Sequence, residues 1–179
     1  ILIADRPRFR SLRRSLRLMV MVAWESRSRT ARHKAELRRG AARLEAAVWR
    51  LLARWSVDLI ALARRVEARL PVAPYIREAL GSARPDLLLW PTLQMDAWDN
   101  DWVKTAKLLG IKVVAAPASF DTLSAKSSFL VQPDRLLVWG EESRRHAIEY
   151  HGFEPNCIDV VGPPQWHVYE SVLVESQKD

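Results

Sequence analysis

Long apolar runs, cysteine and glycine are all scarce in this chain, and each scarcity excludes a class of protein. The longest uninterrupted apolar run, Leu18 to Trp24, has seven residues, whereas a membrane-spanning helix needs about 20. The single cysteine, Cys157, excludes an intramolecular disulfide and cannot alone build a thiolate metal site. Arginines interrupt the N-terminal segment throughout, which is not typical of a secretory signal peptide. We therefore expect a cytoplasmic protein without a bound metal.

The glycines number only six, and none of the glycine-rich nucleotide-binding motifs occurs. Neither G-x-G-x-x-G nor G-x-x-x-x-G-K-[ST] is present, and the hydrolase motif G-x-S-x-G and the zinc motif H-E-x-x-H are absent as well. The sequence therefore has no fingerprint of a dinucleotide-binding enzyme, a P-loop NTPase, a serine hydrolase or a zinc protease. It predicts no cofactor.

What the chain does have is an uneven distribution of charge. The formal net charge over 179 residues is +7, but 19 of the 28 lysines and arginines and only 7 of the 21 aspartates and glutamates lie in residues 1–80. The composition, 49% hydrophobic and 27% charged, is that of an ordinary globular protein. We predict a basic helical segment of the same domain at 1–80, an α/β core at 81–166, and the start of a linker or tail at 167–179.

Residues 1–80 have the apolar spacing of amphipathic helices. In the first segment the spacing is set by Phe9, Leu12, Leu16, Met19 and Ala23. A second pattern predicts one helical face composed of Leu37, Ala41, Leu44, Val48, Leu51, Trp55, Leu59, Leu62, Val66 and Leu70. We expect a break at 56–58 and an end at Pro71 and Pro74. Leu18 to Trp24 fits a short buried strand equally well.

Three interpretations of the arginine-rich helices are open. The arginines can be the solvated face of helices that pack on a core, or they can contact anionic lipid headgroups through residues 6–39. Binding to nucleic acid is the weakest interpretation, because no nucleic-acid motif is present and aromatic residues are not interleaved with the basic ones. The expected partners therefore include the inner, anionic membrane surface, contacted peripherally, and do not include nucleic acid.

Residues 81–179 alternate short apolar strands with helices. The predicted strands are 86–90, 111–116, 135–139 and 158–161, and helices follow the first strand up to Gly110 and the third up to Gly152. Strands separated by helices of about ten residues are typical of right-handed crossover units. The sequence therefore predicts an α/β fold with a Rossmann-like parallel sheet flanked by helices.

Ligands of such sheets bind beyond the carboxyl ends of the strands, which selects the loops 91–96, 117–126, 140–143 and 162–165. The candidate substrate-binding residues in these loops are Thr92, Ser119, Asp121, Thr122, Lys126, Gly162 and Pro163. Asp121 can accept a sugar hydroxyl or act as a base, and Lys126 can hold a phosphate or carboxylate. The same two residues also fit an Asx-turn beside a surface lysine.

The other aromatic and histidine side chains of this half are expected to be structural. The tryptophans that we expect in the core are Trp90, Trp98, Trp102 and Trp139. Trp90 lies at a strand end, from which it can reach a sugar face. His146, His151 and His167 do not have metal-ligand spacing, and we expect them at the surface or at helix caps.

The order of motifs between residues 85 and 166, about half of the chain, resembles a known family. The run Ala118 to Lys126 is followed by Pro133 to Gly140, by His151 to Phe153 and by Val161 to Gln165. This arrangement resembles a bacterial family of GT-B-type glycosyltransferase-like proteins, which have an S-W-D-N-L-T/S-x-K-G loop, a strand ending in V-W and a closing G-x-P turn. The positions at which that family has Trp, Asn and Gly are occupied here by Phe120, Thr122 and Ser127.

The resemblance implies one half of a two-domain enzyme in which two Rossmann-like halves face each other across a cleft. In such enzymes the C-terminal half holds the nucleotide-sugar donor, and the N-terminal half presents a glycan or lipid-linked acceptor in polysaccharide biosynthesis. We therefore expect an acceptor-side fragment that is inactive alone, with Asp121 and Lys126 on the acceptor side of the cleft. Two alternatives stay open: a nucleotide-sugar 2-epimerase of the same architecture, and a non-catalytic module that binds an anionic membrane.

Overall fold

A computed structural model describes residues 9–25, 40–55, 58–91, 97–125 and 129–163. The helices are α1 (Arg10–Glu25), α2 (Gly40–Arg54), α3 (Leu59–Arg69), α4 (Pro74–Ala83), α5 (Ala97–Leu108), α6 (Thr122–Ala125) and α7 (Glu141–His151). The strands are β1 (Leu87–Trp90), β2 (Lys112–Ala115), β3 (Arg135–Val138) and β4 (Ile158–Val160), the last preceded by a short 3₁₀ turn. None of the helices within the described ranges is long and apolar enough to cross a bilayer.

The four strands form one parallel sheet in the order β1-β2-β3-β4, which confirms the predicted α/β fold. Ala115, Leu136 and Ile158 are register partners on successive strands, and all three are buried. They belong to one apolar cluster with Leu123 of α6 and Ala147 of α7, so these helices cover that face of the sheet. Because every strand runs in the same direction, all four carboxyl ends open at one edge.

The N-terminal helices form a second apolar cluster. α1 packs against α2 and α3 through a core that includes Met19, Ala46, Leu59 and Ala63. The segment from residue 18 to residue 24 lies within α1, so it is helical and the alternative of a buried strand is wrong. At the start of α3, Asp58 accepts a hydrogen bond from the backbone N–H of Ala61 at 2.9 Å, which confirms the predicted break before it.

The face of α2 that packs on α1 is not the one that the apolar spacing predicts. Ala42 and Ala46 are 5% and 0% exposed, whereas Leu44 and Trp55 are both 76% exposed. The periodicity identifies a helix correctly, but this helix has apolar residues on two faces. The face that makes the contact combines the two alanines, which let neighbouring helices approach closely, with Trp49 and Leu52, which pack partly against the same cluster.

A buried ionic network connects the basic helices to α5. Arg13 donates to both carboxylate oxygens of Asp101, at 2.9 and 2.6 Å. Glu67 Oε1 lies 3.2 Å from the Arg13 guanidinium and 3.3 Å from the Lys104 ammonium. The two cations and two anions are therefore buried together, and their charges compensate each other. The network fixes α1 and α3 against α5, the helix that follows β1.

Helix α4 is not predicted from the sequence, because Pro71 and Pro74 were interpreted only as the end of the preceding helix. Pro74 occupies the first turn of α4, where its missing N–H costs no hydrogen bond. Ile76 and Leu80, four residues apart, are the buried side chains of this helix. The same proline residues thus end one helix and begin the next.

Candidate functional site

Three of the four loops selected from the sequence meet at the carboxyl edge of the sheet. A cavity of about 440 Å³ at that edge, called here the sheet-edge cavity, is lined by Phe120, Ser124, Trp139, Gly140, Glu142, Ser143, His146 and Pro163. These residues come from the loops after β2, β3 and β4 and from the first turns of α7. The volume falls within the range of roughly 300–1,000 Å³ that small-molecule sites occupy. Most of the remaining loop, residues 92–96, lies outside the described residues.

Asp121 organises the loop between β2 and α6. Its carboxylate accepts a hydrogen bond from the hydroxyl of Ser119, and its backbone carbonyl accepts one from the Ser124 hydroxyl at 3.3 Å. The N–H of Thr122 donates to the Ser119 carbonyl at 3.2 Å. The contacts therefore make Asp121 a turn residue beside the cavity, and Thr122, which is only 4% exposed, is out of reach of a ligand.

Two aromatic rings form one wall of the sheet-edge cavity. The Phe120 side chain is 69% exposed, and its ring centroid lies 6.5 Å from that of Trp139 at an interplanar angle of 50°. The Trp139 indole N–H donates to the carbonyl of Pro117 at 2.9 Å, which holds the end of β3 against the loop after β2. Trp139 therefore lines the cavity, and its predicted place in the core is wrong. Trp90 instead stacks on Trp102 at 5.9 Å and donates to Asp99 at 3.2 Å.

A carboxylate and an imidazole contribute polar groups to the same cavity. His146 Nε2 lies 3.1 Å from Glu142 Oε1, which places the imidazole beside an acceptor oxygen. The hydrogen bond that Arg145 donates lowers the pKa of Glu142, which keeps this carboxylate ionised. The imidazole stacks on Tyr150, with ring centroids 5.0 Å apart. His146 Nδ1 has no hydrogen-bond partner within the described part of the chain.

The turn after β4 brings a further ring to the cavity. Gly162 has a φ of 77°, in the left-handed region that a side chain would strain. Pro163, the next residue, lines the cavity. In the G-P turn at this position, the glycine allows the left-handed backbone and the proline places its ring against the cavity.

The structure separates the predicted site residues into three groups. Pro163 lines the sheet-edge cavity directly, and Ser119, Asp121, Thr122 and Gly162 shape the loops around it. Thr92 and Lys126 lie outside the described residues, as does His167. The lining residues that sequence reasoning did not select as binding residues are Phe120, Ser124, Trp139, Gly140, Glu142, Ser143 and His146. A signal for His146 was present, since a glutamate four residues earlier lies on the same helical face.

His151 is a core residue, which corrects its predicted place at the surface or at a helix cap. Its Nε2 lies 2.8 Å from the carbonyl of Leu123, and its ring makes an edge contact with Phe129 at 5.3 Å between centroids. Burial lowers the pKa of His151 to about 3, so the ring is neutral and donates from Nε2. This hydrogen bond connects α6, on one side of the cavity, to the end of α7.

The cavity therefore combines an aromatic wall with hydroxyl, carboxylate and imidazole groups. Aromatic rings pack well against the apolar faces of small molecules, and the polar groups can bind hydroxyls or transfer a proton. Within the described ranges, no three histidine, cysteine, aspartate or glutamate side chains cluster closely enough to hold a metal ion.

Comparison with known proteins adds nothing to this description. No family model, no curated protein and no solved structure matches the chain. Its function is therefore inferred from the fold and from the sheet-edge cavity.

Proposed function

We propose that the sheet-edge cavity binds a sugar, and that the chain is the acceptor-side half of a glycosyltransferase. In this proposal a sugar moves from a nucleotide-sugar donor to a glycan or lipid-linked acceptor on the cytoplasmic side of the membrane. The observation that carries the proposal is the pair of rings, Phe120 and Trp139, that line a cavity at the carboxyl edge of a parallel sheet.

The chemistry of the lining supports a sugar as the ligand. A pyranose ring has apolar C–H faces, which can stack on Phe120 and Trp139, and a rim of hydroxyls that can bond to Ser124, Glu142 or His146. Phe120 occupies the position at which the resembled family has a tryptophan, so an aromatic ring is retained there. The Phe120 ring is exposed, so covering it with a ligand removes apolar surface from water, which favours binding.

The proposal assigns donor binding to a second Rossmann-like half. The chain alone is therefore expected to bind the acceptor sugar and not to transfer it. A nucleotide-sugar 2-epimerase of the same architecture is the second candidate. The pair of Glu142 and His146 favours it, because an imidazole beside a carboxylate can move a proton on a bound sugar.

Replacing the exposed ring at the cavity mouth tests the proposal. We expect Phe120→Ala to weaken binding of methyl glycosides, which stand in for the acceptor sugar, about five- to tenfold, because a stacking contact of that size is lost. Phe9→Ala is the matched control, since Phe9 is also an exposed phenylalanine but does not line the cavity. Titrations followed by NMR measure both affinities and locate the perturbed residues.

Three results would contradict the proposal or change it. Unchanged affinity in Phe120→Ala, or perturbed residues away from the sheet-edge cavity, would show that sugars do not bind there. Sugar transfer by the chain alone would show that no second half is needed. Breakdown of a nucleotide-sugar without any acceptor would favour the epimerase.

A further inference from the structure

Helix α2 and the turn after it present a row of large apolar side chains to solvent. The row, here called the outer stripe, consists of Leu44, Val48 and Leu51 of α2 and Trp55 of the turn, which follow one another at four-, three- and four-residue steps. All four are more than half exposed, and Leu44 and Trp55 are 76% exposed. Single exposed apolar residues are common, but a continuous row of four is typical of an interaction surface.

The opposite face of α2 packs against α1 and α3. The outer stripe is therefore exposed on a helix that is well packed on its other side. Ala42 and Ala46 are buried in the cluster formed with α1 and α3, and Trp49 and Leu52 pack partly against it. The helix is therefore anchored through the face opposite the outer stripe. Among the residues that the structure describes, none buries the outer stripe.

Positive charge borders the outer stripe on one side. At about 100° per residue, Arg43, Arg50 and Arg54 lie roughly a quarter turn around α2 from the stripe, all on the same flank. Arg43 and Arg54 are exposed. Glu45, the acidic residue of this helix, accepts a hydrogen bond from Ser15 of α1. The solvent-facing side of α2 thus combines apolar side chains with cations.

We infer that the outer stripe of α2 docks on an anionic lipid bilayer, with the helix lying in the plane of the interface. The four apolar side chains enter the boundary between headgroups and acyl chains, and the two exposed arginines on the flank, Arg43 and Arg54, bind the lipid phosphates and carboxylates. Arginine suits this position because its apolar stem can lie along the bilayer surface while its guanidinium reaches the headgroups. The surface differs from the predicted contact through residues 6–39, in which Arg13 is buried against Asp101.

A bilayer fits the outer stripe better than a second copy of the chain. A stable protein interface buries about 800 Å² on each partner, which is more than one row of four side chains on a single helix supplies. An antiparallel pairing of two identical stripes would also bring two rows of arginines together on the same side of the pair. A bilayer needs no matching surface, and its acidic headgroups complement the arginines.

Vesicle flotation tests the inference. The wild-type chain is expected to float with phosphatidylcholine vesicles that contain phosphatidylserine, and much less with phosphatidylcholine alone. The triple variant Leu44→Gln, Leu51→Gln, Trp55→Gln should bind at least about tenfold more weakly, because three buried apolar contacts are lost. The matched control replaces three exposed leucines elsewhere, Leu87, Leu89 and Leu108, with glutamine and should bind as the wild type does.

Charge and depth provide two further readouts. Each of Arg43→Gln and Arg54→Gln should weaken binding to the anionic vesicles about fivefold at low salt. Brominated lipids should quench part of the tryptophan fluorescence of the wild-type chain. This quenched part should be missing in Trp55→Phe, although this variant should still bind the vesicles. These outcomes are independent of the sugar site, because Phe120→Ala should leave vesicle binding unchanged.

The inference is overturned if the wild-type chain does not float with anionic vesicles, or if the triple variant and its control bind equally. It is also overturned if sedimentation shows a dimer that the triple variant abolishes, since the stripe would then be covered by a second copy.

Discussion

At the scale of single residues, the sequence predicts least well which side chains line the sheet-edge cavity and which are buried. Asp121 could be selected because its loop follows a strand, and its contacts are local. Trp139 and His146 could not be placed, because a side chain at the end of a strand or on a helix lines a cavity only if neighbouring loops leave space for it. His146 and His151 lie on the same helix, yet the His151 ring is buried and the His146 ring lines the cavity.

The buried ring of His151 makes the stability of the protein depend on pH. Its pKa is about 3 in the folded chain and about 6.5 when unfolded, so the unfolded state takes up the proton first as the pH falls. The contribution to stability is complete above about pH 6.5 and is lost progressively as the pH falls to about 3. The free energy of unfolding should decrease by roughly 4 kcal/mol over this interval from this residue.

Urea denaturation at a series of pH values measures the effect. In His151→Gln the amide can still donate to the Leu123 carbonyl but does not titrate, so the decrease between pH 6.5 and pH 3 should become much smaller. Gln132→Ala is the control, because it also removes a hydrogen bond at the end of α7, from the Gln132 amide to the His151 carbonyl, but no titrating group, so its profile should keep the slope of the wild type. Equal slopes in all three proteins would show that His151 is not the group responsible.

At the scale of elements, the ends of helices could be predicted better than their packing. Helix α7 ends at Gly152 as predicted, because a left-handed residue is needed there and glycine supplies it at a φ of 62°. The burial of Ala42 rather than Leu44 on α2 could not be predicted, since both stripes have helical spacing and only the position of α1 selects between them. Helix α4 was missed because proline both ends and begins helices.

Two glycine substitutions separate the two roles that glycine has in these helices. Gly152→Ala should destabilise the chain by about 1 kcal/mol, because alanine must adopt the left-handed conformation that follows α7. Gly81→Ala should stabilise it by about 0.5–1 kcal/mol, because Gly81 lies within α4 without a positive φ and no atom lies within 4 Å of an added Cβ. Thermal unfolding of the two variants should shift in opposite directions, and shifts of the same sign would contradict this assignment.

At the scale of the whole molecule, the parallel sheet could be predicted because its strands and helices alternate along the chain. The connection between the basic helices and the sheet could not, because Arg13 and Asp101 are 88 residues apart and no spacing rule relates them. Only the packing of α1 and α3 on α5 removes these four charges from water.

Breaking that network should weaken the connection between the two halves. Asp101→Asn leaves two buried cations, Arg13 and Lys104, with Glu67 as the remaining carboxylate of the network, and we expect a loss of about 3–5 kcal/mol in the free energy of unfolding. Asp159→Asn removes an exposed partner of Arg135 on the sheet and should cause no measurable loss. Chemical denaturation compares the two, and equal effects would mean that the network of Arg13, Glu67, Asp101 and Lys104 is not a source of stability.

The order of the strands has a consequence for how the protein forms in the cell. β2, β3 and β4 each pair with the strand that immediately precedes them in sequence, so each of these three strands emerges from the ribosome after a partner has already been synthesised. The sheet can grow by one crossover unit at a time as the chain emerges, which shortens the period during which an apolar strand edge is available for aggregation.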